Sequence, residues 1–268
     1  MDNNTDPYVL EHTEKHVGWI TLNRPDQRNP LSINMLNALS SALVNAENNN
    51  DVRVIVIASK GSIFSAGHDL KEMSKQAHED VNSQQCRMRS ILDKCSSLMQ
   101  SIAHSPKAVI ACVQGTATAA GCQLVSACDL AIAATSAKFC TPGVNIGGFC
   151  TTPLVGVGRN IHRKHAMAMA LTGDAIDACQ AERFGLINEE VADELLTEHV
   201  TKLAEHIASK SAQGIQLGKS DFYKQIDMPL ADAFEFANEA MIKAMTSEDA
   251  QEGKTAFFEK RIPKWQGA

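Results

Sequence analysis

Ala108-Val-Ile-Ala-Cys-Val113, then Gln114-Gly115, then Ala120-Gly-Cys-Gln-Leu-Val-Ser-Ala-Cys128, then Leu130-Ala-Ile-Ala-Ala134 follow one another along the chain. The first and last pieces are short apolar runs that read as strands. Gly115 marks a turn, and the segment between it and Leu130 reads as a helix. Strand, turn, helix and strand in that order make a unit of a parallel sheet. The same order occurs just upstream. Val52–Ala58 is an apolar run broken only by Arg53, and the loop Lys60-Gly-Ser-Ile-Phe-Ser-Ala-Gly-His68 leads into a polar helical stretch reaching about residue 105. Before that come two β-like segments, Tyr8–Thr13 and Val17–Leu22, and the turn Asn29-Pro30. A helix follows from near Ser32, with Leu36, Leu39 and Leu43 on one face. From about residue 192 the pattern is helical to the end. Val200, Leu203 and Ile207 share one face there, as do Leu230, Phe234, Ala237, Met241 and Met245. The expectation is an α/β core over 1–191 with an all-helical C-terminal region over 192–268.

The bulk properties narrow the function classes. The chain has 268 residues, 44% hydrophobic and 21% charged, an ordinary globular composition. A net charge of −6 gives no basic footprint for nucleic acid. No apolar run approaches the ~20 residues of a membrane span. The stretch Met1-Asp-Asn-Asn-Thr-Asp-Pro7 is acidic, with neither an apolar region nor arginines, and so is not expected to be a signal or transit peptide as it stands. Eight cysteines show no C-x-x-C pair and no metal-ligand spacing. No metal and no permanently bound cofactor is expected, and a reducing compartment suits the free thiols. The cytoplasm is the expected location, or the mitochondrial matrix if a transit peptide was removed.

Several further segments carry a family resemblance. They are Ile20-Thr-Leu-Asn-Arg-Pro-Asp-Gln-Arg-Asn29; Phe64-Ser-Ala-Gly-His-Asp-Leu-Lys-Glu-Met73; Gln114-Gly-Thr-Ala-Thr-Ala-Ala-Gly-Cys-Gln-Leu-Val-Ser-Ala-Cys-Asp129; Ala137-Lys-Phe-Cys-Thr-Pro-Gly143; and Leu171-Thr-Gly-Asp174 running to Gly185-Leu-Ile187. The end, Ser247–Gly253 through Ala256-Phe-Phe-Glu-Lys-Arg261, belongs with them. In this order and spacing they resemble the crotonase (enoyl-CoA hydratase/isomerase) superfamily over essentially the whole chain. The resemblance implies a spiral of ββα turns, a C-terminal region that trimerises, and commonly a hexamer of two trimers. It also implies an acyl-CoA thioester as ligand, with coenzyme A arriving as part of the substrate, and a setting in fatty acid metabolism.

Crotonase chemistry builds negative charge on a thioester carbonyl oxygen, which fixed backbone N–H groups stabilise. Carried over residue by residue, the donors are the amides of His68, after Ala66-Gly67, and of Ala120, before Gly121 at a helix start. The family usually has glycine where this chain has Ala119 and Ala120; alanine keeps the donor provided its φ is negative. Ala119-Ala120-Gly121 also reads more simply as close helix packing. Ala66, Gly67, His68, Asp69, Leu70 and Gly121 match the stretches that receive the coenzyme and thioester. Arg28 stands where a basic residue faces the CoA phosphates. Phe257 and Lys260 match a phenylalanine and lysine that reach a neighbouring subunit's CoA, while Lys260-Arg261 also reads as a solvated basic helix end.

The departures matter as much. The family's two hydratase glutamates hold a water and exchange its proton with the substrate; their positions are here Gln123 and Gly143. A third acidic position used by some members is Thr151. Standard hydration is therefore not expected. The His68 imidazole is the titratable side chain nearest the proposed oxyanion hole, readable as a general base or as a structural or surface histidine. Cys140 and Cys150 flank Gly143, without an evident activating base, and Gly143 suggests room for a larger acyl group or a water. Asp69 and Glu72 read as capping and solvating the helix that begins there. Two readings stand: an enzyme acting through the oxyanion hole with another base, or an acyl-CoA-binding module without catalysis.

Overall fold

Strands in this protein come in close-set pairs, and after the opening hairpin the members of each pair go to different sheets. In the computed structural model, which describes residues 6–267, Val9–Glu14 (β1) and Val17–Leu22 (β2) form an antiparallel hairpin. Its turn residues Lys15 and His16 both take positive φ, 47° and 67°, the twist a two-residue hairpin needs. Residues 1–5 of the acidic N-terminal stretch lie outside the described residues, as does residue 268. Helix α1 (Ile33–Asn48) starts at Ser32, whose hydroxyl accepts the Met35 N–H, and it buries Leu36, Leu39 and Leu43 as their spacing predicts. Then β3 (Val54–Ser59) is followed by β4 (Ile63–Ser65), α2 (Leu70–Met73) and α3 (Val81–His104). Next, β5 (Ala108–Val113) is followed by β6 (Thr116–Thr118) and α4 (Ala120–Ala127), and β7 (Leu130–Ala134) by β8 (Lys138–Cys140), α5 (Pro153–Asn160) and α6 (Arg163–Thr172). After β9 (Ile176–Asp177), α7 (Ala178–Phe184) and β10 (Glu189–Val191) come α8 (Leu196–Ala208), α9 (Ala212–Gln225), α10 (Leu230–Met245) and α11 (Glu248–Glu259).

The six-stranded sheet runs β1-β2-β3-β5-β7-β10 and the four-stranded sheet β4-β6-β8-β9. The first is parallel from β2 onward, and the second is parallel except for β9. From β3 to β8 each strand–strand–helix turn advances one place in both sheets, which is the ββα spiral. The second sheet was not read from sequence because its strands are too short to show a period-two pattern. The helical stretch expected up to about residue 105 is two helices. It breaks after Met73, where residues 74–80 form a loop, and Asp80 restarts it by accepting the Ser83 N–H.

The buried strands serve two cores. In β3, Ile55 and Ile57 pack with Leu36, Leu39, Phe64 and Leu124, while Val54 and Val56 face Ile110, Ile132, Leu196, Val200 and Ala204. Helix α8 is thus a layer on the large sheet, and the outer helices are α9–α11. Asp129 ties α9 to the core. It accepts hydrogen bonds from the Val109 N–H (2.7 Å), the Lys219 ammonium (2.7 Å) and the Tyr223 hydroxyl (3.0 Å). The outer face of α10 is left bare: Leu230, Phe234 and Met241 are exposed. A groove of about 420 Å³ between α9 and α10 is lined by Phe222, Phe234, Ala237 and Met241.

Candidate functional site

The loop from Ser65 to His68 is held from both sides. The Ala66 N–H donates to the Arg28 carbonyl (2.9 Å) and the Leu31 N–H to the Gly67 carbonyl (2.8 Å). The Ser65 hydroxyl donates to the Asn29 carbonyl and accepts the Gly67 N–H. Gly67 has φ +83°, and a Cβ there would lie 2.8 Å from the Thr118 carbonyl oxygen and 3.0 Å from the Ala120 nitrogen. A Cβ on Gly121 would lie 2.5 Å from the Ser65 carbonyl oxygen. Glycine is required at both positions because the loop is pressed against the start of α4.

That contact brings together two segments that each carry an uncommitted donor. Ala120 is the first residue of α4, where helical N–H groups have no intrahelical acceptor. Among the described residues, neither its N–H nor that of His68 has an intramolecular acceptor. Ala119, which precedes Ala120, donates its own N–H to the Cys140 carbonyl (2.9 Å). The condition of negative φ holds at Ala120 and fails at Ala119, whose φ of 51° and ψ of −115° lie in a region glycine ordinarily occupies.

The His68 imidazole is mostly buried, and among the described residues its Nε2 has no hydrogen-bond partner. Burial lowers its pKa, so the ring is neutral at pH 7. Gln123, one turn into α4, is buried with Oε1 unpartnered, and Thr141 is fully buried with Oγ1 unpartnered. Thr141 was not singled out in the sequence; a hydroxyl two residues past the apolar Phe139 and next to Pro142 was the available signal.

Gly143 offers no empty space on its Cβ side. After Thr141 the chain makes a 3₁₀ turn, Pro142–Ile146, ended by left-handed Gly147, and the Gly148 N–H bonds back to the Gly143 carbonyl (2.9 Å). This brings Phe149 and Cys150 over Gly143. A Cβ there would lie 2.8 Å from the Cys150 nitrogen and 2.9 Å from the Phe149 carbonyl carbon. The Gly143 N–H is spent on the Cys150 sulfur at 3.3 Å. The expected room is therefore filled by backbone. Burial pushes the Cys140 and Cys150 thiols up, which keeps both protonated at neutral pH. Thr151 is exposed.

Among the acids, Asp69 caps α2 by accepting the Lys71 N–H (2.8 Å). Glu72 differs from expectation: it accepts the Ile33 N–H (2.8 Å), capping α1 rather than its own helix. Leu70 is exposed at the rim, and Arg28 adjoins the loop through its carbonyl. Phe257 and Lys260 are exposed on α11, which packs on α9 and α10, so the chain does not gather them with the loop residues. Among the described residues no group of three or more His, Cys, Asp or Glu side chains is arranged to hold a metal, and no helix is long and apolar enough to cross a membrane.

The family model described as enoyl-CoA hydratase/isomerase matches residues 12–268. A rat protein, "Enoyl-CoA hydratase domain-containing protein 3, mitochondrial", is 43% identical over 246 residues, which are 92% of this chain and 80% of that protein. The structure of human enoyl coenzyme A hydratase domain-containing protein 3 superposes with a TM-score of 0.92 at 40% identity, covering 96% of this chain and 100% of that one. A Mycobacterium smegmatis enoyl-CoA hydratase structure gives 0.91 at 39% identity, covering 97% and 99%.

Proposed function

The chain belongs to the enoyl-CoA hydratase/isomerase family, and from that premise we propose that it binds an acyl-CoA thioester and polarises its carbonyl through the amides of His68 and Ala120, without hydrating a double bond. One observation carries this reading: two unspent N–H groups held together by the contact of Gly67 and Gly121 with the neighbouring backbone. Fixed donors in a buried corner stabilise a developing oxyanion with little reorganisation. Coenzyme recognition is assigned to Ala66–Leu70 and Arg28, with Phe257 and Lys260 acting across a subunit boundary in a trimer or hexamer. The bare α10 face and the α9–α10 groove support that assembly, since an apolar patch of this kind is normally covered.

Hydration needs an acid and a base at the water, and Gln123 and Gly143 supply neither. The chemistry left to the site is binding alone or a step using the His68 imidazole. The second reading is favoured by that ring's neutral state and unpartnered Nε2. The names of the vertebrate relatives support a mitochondrial matrix setting over the cytoplasm, and the bacterial neighbour shows the same fold outside that organelle. Both settings are reducing, which suits the chain's free cysteines. Calorimetric titration with butyryl-CoA and a spectrophotometric assay with crotonyl-CoA test the proposal together. Binding with negligible hydration is expected. No binding at millimolar ligand, or hydration at about 1 per second or faster, overturns it.

A further inference from the structure

We propose that Glu252 is a positioning residue for coenzyme binding: through Arg261 it holds the end of α11 in the left-handed turn that presents the Lys260 ammonium. The inference rests on the reading of Lys260 as a contact to the coenzyme across a subunit boundary, and it adds what keeps that lysine in place. Left-handed helix ends in this chain are of two kinds. Helix α6 ends on Gly173 (φ 70°), α7 on Gly185 (φ 86°), and the 3₁₀ turn Pro142–Ile146 on Gly147 (φ 77°). Glycine suits such a cap because it has no Cβ to crowd the following carbonyl. Among the described residues, the others are basic. Helix α11 ends in the same conformation, φ 54° and ψ 39°, on Lys260, and the 3₁₀ turn Pro25–Gln27 ends on Arg28 at φ 66°. These are the two basic side chains assigned to the coenzyme, and each stands where glycine would be less strained.

Backbone strain of this kind persists where the surroundings impose it, and at Lys260 Glu252 does so. Its carboxylate accepts both terminal nitrogens of the Arg261 guanidinium (2.6 and 2.8 Å) and the Lys264 N–H (2.6 Å). The Arg261 Nε–H goes to Glu259 (2.6 Å), and the Arg261 backbone N–H closes onto the Ala256 carbonyl (3.0 Å). The bidentate geometry makes this pair directional as well as attractive, and the guanidinium holds the Glu252 carboxyl down at about 2, so the clasp is charged at neutral pH. The tail beyond it is tied down too: Asp249 accepts the Gln266 and Gly267 N–H groups (2.7 and 3.1 Å), and the Trp265 indole N–H donates to the Ser209 carbonyl (2.8 Å). Lys260 is thus fixed from both sides. Arg261 is spent on two glutamates, whereas the Lys260 ammonium is exposed and has no partner among the described residues. The clasp leaves Lys260, and not its neighbour, free to meet an anion.

The test is calorimetric titration of the full-length protein with butyryl-CoA at two salt concentrations. At about 50 mM salt, Glu252→Ala should bind about fivefold more weakly than the wild-type protein, the size of one solvent-accessible ion pair. At about 1 M salt, where such a pair is screened, the two proteins should agree within about twofold. If Glu252→Ala fails to fold, Arg261→Lys tests the same clasp, because an ammonium cannot keep the bidentate pairing. Lys260→Gly should show the same salt-sensitive loss while unfolding about 2 °C higher, since it removes the strain together with the cation. A loss of equal size at both salt concentrations would make Glu252 a merely structural residue and overturn the proposal. Unchanged affinity in the folded clasp variant, or a lower melting temperature for Lys260→Gly, would overturn it while leaving the thioester reading in place. Failure of the wild-type protein to bind butyryl-CoA would remove the clasp's role and the thioester reading together.

Discussion

Two edges of one site treat a missing side chain in opposite ways. At Gly67 and Gly121 the absent Cβ lets two backbones meet, and beside the contact are two N–H groups that no described residue accepts. At Gly143 the absent Cβ lets the chain fold back on itself, and the one N–H there is spent on Cys150. The amide edge even carries a cost, because Ala119 is held in a backbone region suited to glycine, a strain of order 1–3 kcal/mol. Strain maintained at one edge and closure at the other are what the proposed reading of the two amides as an oxyanion corner predicts. The edge at Gly143 is filled by the backbone of Phe149 and Cys150 rather than left open.

The strongest way to break this comparison is at the amide edge. Gly121→Ala places a methyl 2.5 Å from the Ser65 carbonyl oxygen, on backbone that is buried and hydrogen-bonded on both sides. The substitution should lower stability by about 3 kcal/mol and the melting temperature by roughly 8 °C. Acyl-CoA binding should fall with it. An unchanged melting curve would show that the loop and α4 are not pressed together as described.

At the other edge, Gly143→Glu should cost about 2 kcal/mol, because the Phe149–Cys150 turn is partly exposed and can shift outward. Combined with Gln123→Glu it should still give no crotonyl-CoA hydration, since a displaced turn will not hold a carboxylate to the tolerance catalysis requires. Measurable hydration by a folded double variant would mean that the edge is merely missing its acids and not closed.

The sequence made the amide edge legible and the acid edge only half so. Gly67 and Gly121 stand in segments whose order and spacing carry the family resemblance, and the strands Ala108–Val113 and Leu130–Ala134 have the same limits in the structure. The expectation that Gln123 and Gly143 stand at the family's glutamate positions came from the same resemblance. Closure was not legible, because it depends on Gly148 bonding to Gly143 and on where Phe149 then falls, a tertiary fact without local periodicity. The second sheet was hidden for a related reason: β4, β6 and β8 are three residues each. Their alternation is too brief to separate from loop. A negative φ is the condition for an alanine to keep its donor at positions 119 and 120, and which of the two takes it depends on how the chain turns from β6 into α4, which no local pattern records.

Relief of that strain is a smaller effect with the opposite sign. Ala119→Gly removes the Cβ from a residue at φ 51° and ψ −115°, and glycine adopts this geometry freely. Part of the gain is returned through the greater freedom of glycine in the unfolded chain. A net stabilisation of about 1 kcal/mol is expected, read as a higher urea midpoint with an unchanged slope. Destabilisation would argue that the Ala119 methyl, 3.1 Å from where a Gly67 Cβ would be, holds the loop in place.

The smallest effect separates the His68 ring from the His68 amide. Burial keeps the folded-state pKa of the ring below its ordinary value of 6.5. As pH falls through that value the unfolded chain takes up a proton that the folded protein refuses, so stability drops with decreasing pH. Its contribution is whole above pH 6.5, declines below it, and stops declining once the folded ring is protonated too. His68→Asn removes the titration while keeping a backbone N–H at position 68. The variant should therefore show a shallower loss of urea midpoint than the wild-type protein as pH is lowered from 7.5 to roughly 5, and a bound acyl thioester should still be held by both. Parallel pH profiles would place the ring in water instead of behind the loop. Loss of thioester binding in a folded His68→Asn protein would transfer the role of this position from its backbone to its side chain, and the amide edge would then no longer be a purely main-chain device.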